Sequence, residues 1–335
     1  MYVPVTFSMA LLMTIISAVC WGSWANTFKI TRGYRFELFY WDYALGICVI
    51  AVALAFTMGS LHPDGTDFVS NLHSADAANF YYAFAAGAVF NVANVLLVAG
   101  IDMAGLAIAF PLAIGIALAV GVILSYLQNP KGSPLLLGIA VVCAIIAVIL
   151  DGRAYKYLHA GKEAAGAVSS RASRKSIVVC VISGLLMGLF APIVSHALNT
   201  GHALTPYTVG VFFTLGALAC CFVFNVYLMR RPLIGAPVAA GGYFHTSAGN
   251  HLLGLLGGCI WGLGTVFNFV ASSLTGVAIS YAIGQSAPMV AALWGVFVWH
   301  EFRGAGTLAR VNLLLMFVFF IAAIALVSLA YSAGG

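Results

Sequence analysis

Polar and indole side chains recur at helical spacing within long apolar stretches of this chain. An uncompensated polar group in hydrocarbon is costly, so such side chains must face protein, water or a ligand. Spacings of three or four residues place the members of each stretch on one side of a helix. The set consists of Asn91 and Asn94, then Trp261, Thr265 and Asn268, then Tyr281 and Gln285, and finally Trp21 and Trp24 near the N-terminus.

These residue types predict a cavity for a small neutral solute. Carboxamides both donate and accept hydrogen bonds, and indole faces stack on sugar CH groups or planar rings. No basic residue lies deep inside an apolar stretch, which argues against recognition of phosphate, nucleotide or carboxylate groups by a buried cation. The alternative is that the amides only join helices, contributing about 0.6 to 2 kcal/mol each.

The acidic residues differ in their expected depth in the membrane. Asp42 follows Leu38-Phe39-Tyr40-Trp41 inside the second apolar stretch, whereas Asp102, Asp151 and Glu301 are expected at helix ends. Burial would make Asp42 a candidate proton carrier. The alternative pairs Asp42 with a basic residue at the interface (Lys29, Arg32 or Arg35). Asp42, Tyr43 and Glu301 form the predicted coupling or gating set.

Composition identifies the elements that must position these residues. The chain is 63% hydrophobic and only 7% charged, far from the roughly 25% charged residues of soluble proteins. Its mean hydropathy is +1.05. This predicts a polytopic membrane protein, whose net charge of +5 reflects topology rather than nucleic-acid binding. All seven Cys residues lie in apolar stretches without metal-ligand spacing, so we expect no metal or cofactor.

Hydropathy predicts an all-α fold of ten transmembrane helices. Of the 14 Lys and Arg residues, only Lys131 falls opposite the others, so the positive-inside rule places both termini outside the cytoplasm. The first span is expected to be retained rather than cleaved as a signal peptide. The predicted spans are 7–27, 38–59, 78–100, 105–127, 134–151, 176–198, 206–229, 252–273, 276–299 and 309–331.

The chain divides into two predicted five-span repeats, residues 1–151 and 176–335, joined by a flexible cytoplasmic linker over 152–175. The segment that starts at Gly105 aligns without a gap on the one that starts at Gly276, and Trp21–Ala25 aligns on Met187–Ala191. Because each half has an odd number of spans, the repeats must be inverted in the membrane. Such repeats open a central site to either side by rocking.

Enzyme motifs are absent from the sequence. It contains no G-x-x-x-x-G-K-[ST], no H-E-x-x-H and no G-x-S-x-G motif. No segment suggests an ion-selectivity filter either. A carrier is therefore favoured over an enzyme or a channel, and a membrane scaffold or sensor without transport is the alternative from another class.

Two motifs carry a resemblance to a known superfamily. The ninth span ends Trp299-His300-Glu301-Phe302-Arg303-Gly304, and an early Gly22-Ser23-Trp24 is followed by Tyr40-Trp41-Asp42-Tyr43. The first motif, in a chain of ten spans, resembles the drug/metabolite transporter superfamily. Within it, the stretch Gly276–Gly304 and the early motif resemble the ureide permeases and are similar to the glucose/ribose porter and rhamnose transporter branch. The resemblance extends over nearly the whole chain and bears most directly on Tyr40–Tyr43 and on Gln285–Glu301.

This resemblance implies solute uptake by a secondary carrier. Sugars are the solutes in one branch, and allantoin-like or nucleobase compounds in the other. We predict a monomeric, multi-pass inner-membrane transporter that imports a neutral monosaccharide such as ribose by alternating access, with proton coupling. The alternative substrate is a ureide or nucleobase such as allantoin or uracil.

Overall fold

The computed structural model of the chain describes residues 1–31, 33–61, 67–163, 173–233 and 235–333. Within these ranges the chain is helical without strands, and ten helices are long and apolar enough to cross a membrane. The predicted all-α, ten-span architecture is therefore confirmed. Spans 1 to 10 are Phe7–Ile30, Phe36–Phe56, Ala77–Ala104, Leu106–Gln128, Pro134–Glu163, Arg174–Asn199, Pro206–Arg230, Ala248–Thr275, Val277–Val298 and Thr307–Ala333.

Several spans begin at a hydroxyl side chain that accepts a hydrogen bond from a free backbone N–H. Thr6 caps span 1, and Thr205 caps span 7 just before Pro206. Ser173 forms a reciprocal capping box with Ser176 at the start of span 6. Losing such a cap costs about 1 kcal/mol. These local signals fix where the helices begin.

The connection between the two halves differs from the predicted linker. Span 5 continues to Glu163, so residues 152–163 are helical. The reason is that Ala154, Tyr155 and Leu158 recur at helical spacing and are buried, which gives this segment an apolar face to pack. Residues 164–172 of the predicted linker lie outside the described residues.

Glycine residues bring two pairs of spans into backbone contact. A side chain on Gly46 of span 2 would overlap the backbone of span 8, and Gly258 meets span 2 in the same way. Gly87 of span 3 and Gly216 of span 7 lie equally close to each other's helices. Gly87 and Gly258 therefore serve close helix packing.

The spans pack against one another in a few extensive pairs. Span 1 packs against span 8, and span 3 packs against span 6. Span 4 lies against span 6, span 9 lies against span 1, and spans 5 and 10 pack together at one side. We call the end of the bundle that carries the loops after spans 1, 3, 5, 7 and 9 the basic end.

Two central spans are interrupted. Span 1 has a turn at Trp24. Span 9 consists of the helix Val277–Gly284, a turn at Gln285 and Ser286, the helix Ala287–Leu293 and a π-helical end at Trp294–Val298. Interrupted helices are tolerated within a membrane where they are buried in protein or line a cavity. Both interruptions adjoin the same cavity.

Candidate solute-binding cavity

A cavity of about 410 Å³ lies between spans 1, 3, 6, 8 and 9 and extends to the basic end. This volume falls in the range of small-molecule sites, about 300 to 1,000 Å³. Five of the predicted binding residues contribute to its lining: Trp21, Trp24, Asn94, Trp261 and Gln285.

Aromatic rings form the deep wall of the cavity. Trp261 stacks on Phe90 with ring centroids 4.3 Å apart and on Trp21 with centroids 5.9 Å apart. Phe190 meets Phe90 edge to face at 5.7 Å. The Trp21 indole is fixed further, because its Nε1 donates to the Thr265 hydroxyl at 3.0 Å. This wall presents flat, rigid faces to a solute.

Two carboxamides supply polar groups to the cavity. Asn94 Nδ2 donates to the Tyr40 hydroxyl at 3.2 Å, and the Asn94 oxygen has no donor in the described part of the chain. Gln285 occupies the turn in span 9, and its side chain has no hydrogen-bond partner in the described ranges. Amide groups that the protein leaves free are available to a bound solute.

The other four predicted binding residues join helices instead of lining the cavity. Asn268 donates to the Ser280 carbonyl at 2.9 Å, and the Tyr281 hydroxyl donates to the Met187 carbonyl at 3.1 Å. Thr265 accepts from Trp21 and donates to the Trp261 carbonyl at 3.0 Å. Asn91 accepts from the Cys221 thiol at 3.3 Å, and its Nδ2 is buried without a partner in the described chain.

An ionic and aromatic cluster stands where the cavity reaches the basic end. Lys29 pairs with Glu301, and its ammonium lies 4.4 Å from the centre of the Trp299 ring. The Trp299 indole donates to Asn26 at 2.6 Å, and the Tyr155 hydroxyl donates to Glu301 at 3.3 Å. These contacts tie spans 1, 5 and 9 together at the cavity entrance.

Asp42 lies in a separate buried cluster between spans 2 and 8. His251 Nδ1 is 2.9 Å from Asp42 Oδ2, and the Tyr34 hydroxyl donates to the same oxygen at 2.9 Å. The Tyr243 hydroxyl donates to Oδ1 at 2.6 Å. Burial and then the hydrogen bond to Asp42 raise the pKa of Tyr243 to about 12, and they raise the pKa of Tyr34 in the same order.

These contacts correct the expected ion pairing of Asp42. Lys29 pairs with Glu301 and Arg35 with Glu37, so neither reaches Asp42. Arg32 lies outside the described residues. The partner is His251, because Gly254, one turn further along span 8, has no side chain to keep the helix away from Asp42.

Asp151 also differs from expectation. It is only 1% exposed, and its Oδ1 has no partner among the residues that the structure describes. It was expected at the interface at the end of span 5. Because span 5 continues to Glu163, Asp151 lies within the helix and faces its neighbours.

Sequence reasoning missed three members of the Asp42 cluster (Tyr34, Tyr243 and His251) and part of the aromatic wall. His251 and Tyr243 lie in or just before the first turn of span 8, where a polar residue attracts no notice. Phe90 and Phe190 are ordinary residues of an apolar span. The available signal was the face of span 8: His251, Gly254 and Gly258 follow one another at helical spacing on the side that meets span 2.

The fold and the cavity define a multi-pass helical membrane protein with a central solute-sized cavity. The family model for the ureide permeases matches residues 157–330. The chain belongs to the ureide permease family.

Relatives support this assignment over the full length. Ureide permease 1 of Arabidopsis thaliana is 21% identical over 374 residues, covering 94% of this chain and 95% of the relative. Ureide permease 5 of the same plant is 23% identical, covering 95% and 93%. A crystal structure shares the fold with a TM-score of 0.60 at 14% identity, over 95% of this chain and 97% of the other. The relatives are membrane transporters, not enzymes.

Proposed function

We propose that this chain is a secondary transporter that carries a ureide across the membrane by alternating access. The observation that carries the proposal is the cavity, in which the free carboxamide of Gln285 and the Asn94 oxygen face a flat wall around Trp261. A ureide offers planar groups with N–H donors and carbonyl acceptors. A carboxamide complements both, and an indole face suits a planar ring.

The ureide replaces the monosaccharide as the leading substrate. The sequence favoured a sugar such as ribose, but the family model and the five Arabidopsis thaliana relatives carry the name ureide permease. A nucleobase such as uracil is a related candidate substrate, because it shares the cyclic urea group. If the protein is instead a scaffold or sensor without transport, the assay below would show no accumulation of any solute.

Helix packing supports two inverted repeats as the basis of alternating access. Gly46 contacts Gly258 between spans 2 and 8. Between spans 3 and 7, Gly87 lies against the Phe213 carbonyl and Gly216 against the Phe84 carbonyl, as exchange of the two halves requires. Gly105 and Gly276, which align in the sequence, both have positive φ (74° and 83°) at the junctions before spans 4 and 9. We place this architecture in the drug/metabolite transporter superfamily.

The Asp42 cluster supports proton coupling. A buried carboxylate in hydrogen-bond contact with a histidine is a pair of groups between which one proton can be held or passed. The present geometry accommodates the proton on His251, with two phenols donating to the carboxylate. Loss of that proton leaves a net negative charge between spans 2 and 8, whereas its transfer to Asp42 removes both charges of the pair. We propose Asp42 and His251 as the coupling pair, and Glu301 with Lys29 as a gate.

The proposal includes the orientation of the protein in the membrane and its oligomeric state. The basic end faces the cytoplasm of a cell whose inner membrane holds the protein, the termini lie outside, and a monomer imports the solute. Labelling with an impermeant thiol reagent tests the orientation: a cysteine at Arg231 should be protected in intact cells, and one at Lys131 should react. The reverse pattern would overturn it.

Counterflow in proteoliposomes tests transport itself. Vesicles loaded with unlabelled allantoin, uracil or ribose are diluted into a trace of the same labelled solute. Transient accumulation of labelled allantoin is expected, with a smaller response for uracil and none for ribose. Accumulation of ribose alone would restore the sugar, and no accumulation with any solute would support the scaffold. Protein that carries Trp261→Ala serves as the inactive control.

A further inference from the structure

The membrane-facing surface carries a second cavity, distinct from the solute cavity. This crevice has a volume of about 660 Å³ and lies between span 2, the C-terminal half of span 7 from Leu218 onward and the segment 238–244 that precedes span 8. Its walls are apolar apart from Arg230 and the Tyr243 hydroxyl. Trp41 and Phe222 form its floor, with ring centroids 5.1 Å apart.

The crevice opens toward lipid rather than toward protein. Phe222 is 66% exposed and Phe244 is 81% exposed, although both are large apolar side chains. Span 7 is π-helical over Cys221–Asn225 at this level. An apolar, open crevice in the side of a membrane helix bundle accommodates an acyl chain, because hydrocarbon alone is present there to fill it.

Charge identifies the headgroup. Arg230 ends span 7 at the mouth of the crevice, is exposed, and has no acidic partner in the described part of the chain. A basic residue just beyond a membrane helix attracts anionic lipid headgroups. A guanidinium also binds two phosphate oxygens through a pair of parallel hydrogen bonds. In phosphatidylcholine, the positive charge of choline beside the phosphate would repel the guanidinium.

The crevice shares a wall with the Asp42 cluster. Tyr243 lines the crevice with its ring and donates to Asp42 with its hydroxyl at 2.6 Å. Trp41, the residue before Asp42, donates its indole N–H to the Met229 sulfur at 3.5 Å across the same floor. An acyl chain in the crevice would therefore pack against both Trp41 and Tyr243 and limit the movement of the Tyr243 side chain.

We propose that this crevice binds one anionic phospholipid of the surrounding bilayer, with its phosphate on Arg230 and an acyl chain against Trp41 and Phe222. The bound lipid stabilises the contact between Tyr243 and Asp42. Lipid binding here does not depend on which solute the protein carries, nor on whether it transports any.

The test measures lipid selectivity at the crevice. The full chain is placed in phosphatidylcholine vesicles that contain spin-labelled phosphatidylglycerol or spin-labelled phosphatidylcholine, and the motionally restricted fraction of each label is recorded. Arg230→Gln should weaken the preference for phosphatidylglycerol about fivefold, the contribution of one basic residue near the surface. Arg231→Gln is the matched control, because its neighbouring cation does not line the crevice. Equal losses in the two variants would overturn the site.

A second variant separates the acyl-chain site from a diffuse surface charge. Ala239→Trp places an indole inside the crevice while leaving both arginines unchanged. It should lower the restricted fraction of both labels. An unchanged restricted fraction in Ala239→Trp protein that melts like the parent would refute acyl-chain binding.

Discussion

Replacing Gln285 by methionine should weaken solute binding without weakening the fold. Methionine keeps the length and apolar shape of the side chain and removes its amide. The Gln285 amide has no protein partner in the described ranges, so folding loses no hydrogen bond. A bound ureide would lose its partner and keep an unpaired polar group in the cavity, at about 1 to 3 kcal/mol. This corresponds to a dissociation constant raised about 5- to 150-fold.

Asn268→Leu provides the matched control, because this amide is used within the protein. Its Nδ2 donates to the Ser280 carbonyl at 2.9 Å and lies 3.4 Å from the Ser17 hydroxyl. The substitution should lower the melting temperature more than it lowers affinity. Allantoin binding by isothermal titration calorimetry and thermal unfolding in detergent give both numbers. Unchanged affinity in Gln285→Met protein, or an equal loss of melting temperature in both variants, would refute the assignment of Gln285 to the site.

Three further outcomes test the surroundings of the cavity. Because the pKa of Tyr243 lies at about 12, above the ordinary value of about 10, its contribution to stability is complete below about pH 10 and is lost as the pH rises toward 12. Tyr243→Phe should flatten the fall in melting temperature over that range, and an unaltered slope would contradict the Asp42 contact. A disulfide between Lys29→Cys and Glu301→Cys should block counterflow until dithiothreitol is added, whereas uninterrupted exchange would remove Lys29 and Glu301 from the gate. Gly87→Ala should destabilise the protein because its methyl group overlaps the Phe213 carbonyl, whereas Gly115→Ala, with open space around it, should be neutral or stabilise it by up to about 1 kcal/mol; equal melting temperatures would show that spans 3 and 7 can move apart.

The spans could be predicted because a bilayer imposes its length on every helix that crosses it. The ends of the spans were harder to predict where a helix continues into water. Span 5 runs past Asp151 because Tyr155 and Leu158 still find an apolar surface, which a hydropathy window does not register. The same oversight placed Asp151 at the interface.

Helical spacing identified polar faces but not what each face meets. Asn94 and Asn268 both lie on well-formed polar faces, yet Asn94 lines the cavity while Asn268 bonds to span 9. The difference depends on the rotation of each helix against its neighbours, which is set by contacts such as Gly284 against the Trp21 ring. His251 was missed for the same reason, since its pairing with Asp42 depends on where spans 2 and 8 cross.

Tyr43 connects the two sites that the fold keeps apart. It follows Asp42 on span 2, and its ring lies 4.7 Å from Trp24 and 6.4 Å from Trp261, both in the cavity wall. Its hydroxyl is buried without a partner in the described chain. A buried unpaired hydroxyl costs about 1 to 3 kcal/mol, which a conformation that gives the Tyr43 hydroxyl a partner would recover. A rotation of span 2 that follows a change of charge at Asp42 and His251 would move Tyr43 against both indoles. We therefore expect coupling to reach the solute through Tyr43 rather than through direct contact between Asp42 and the solute.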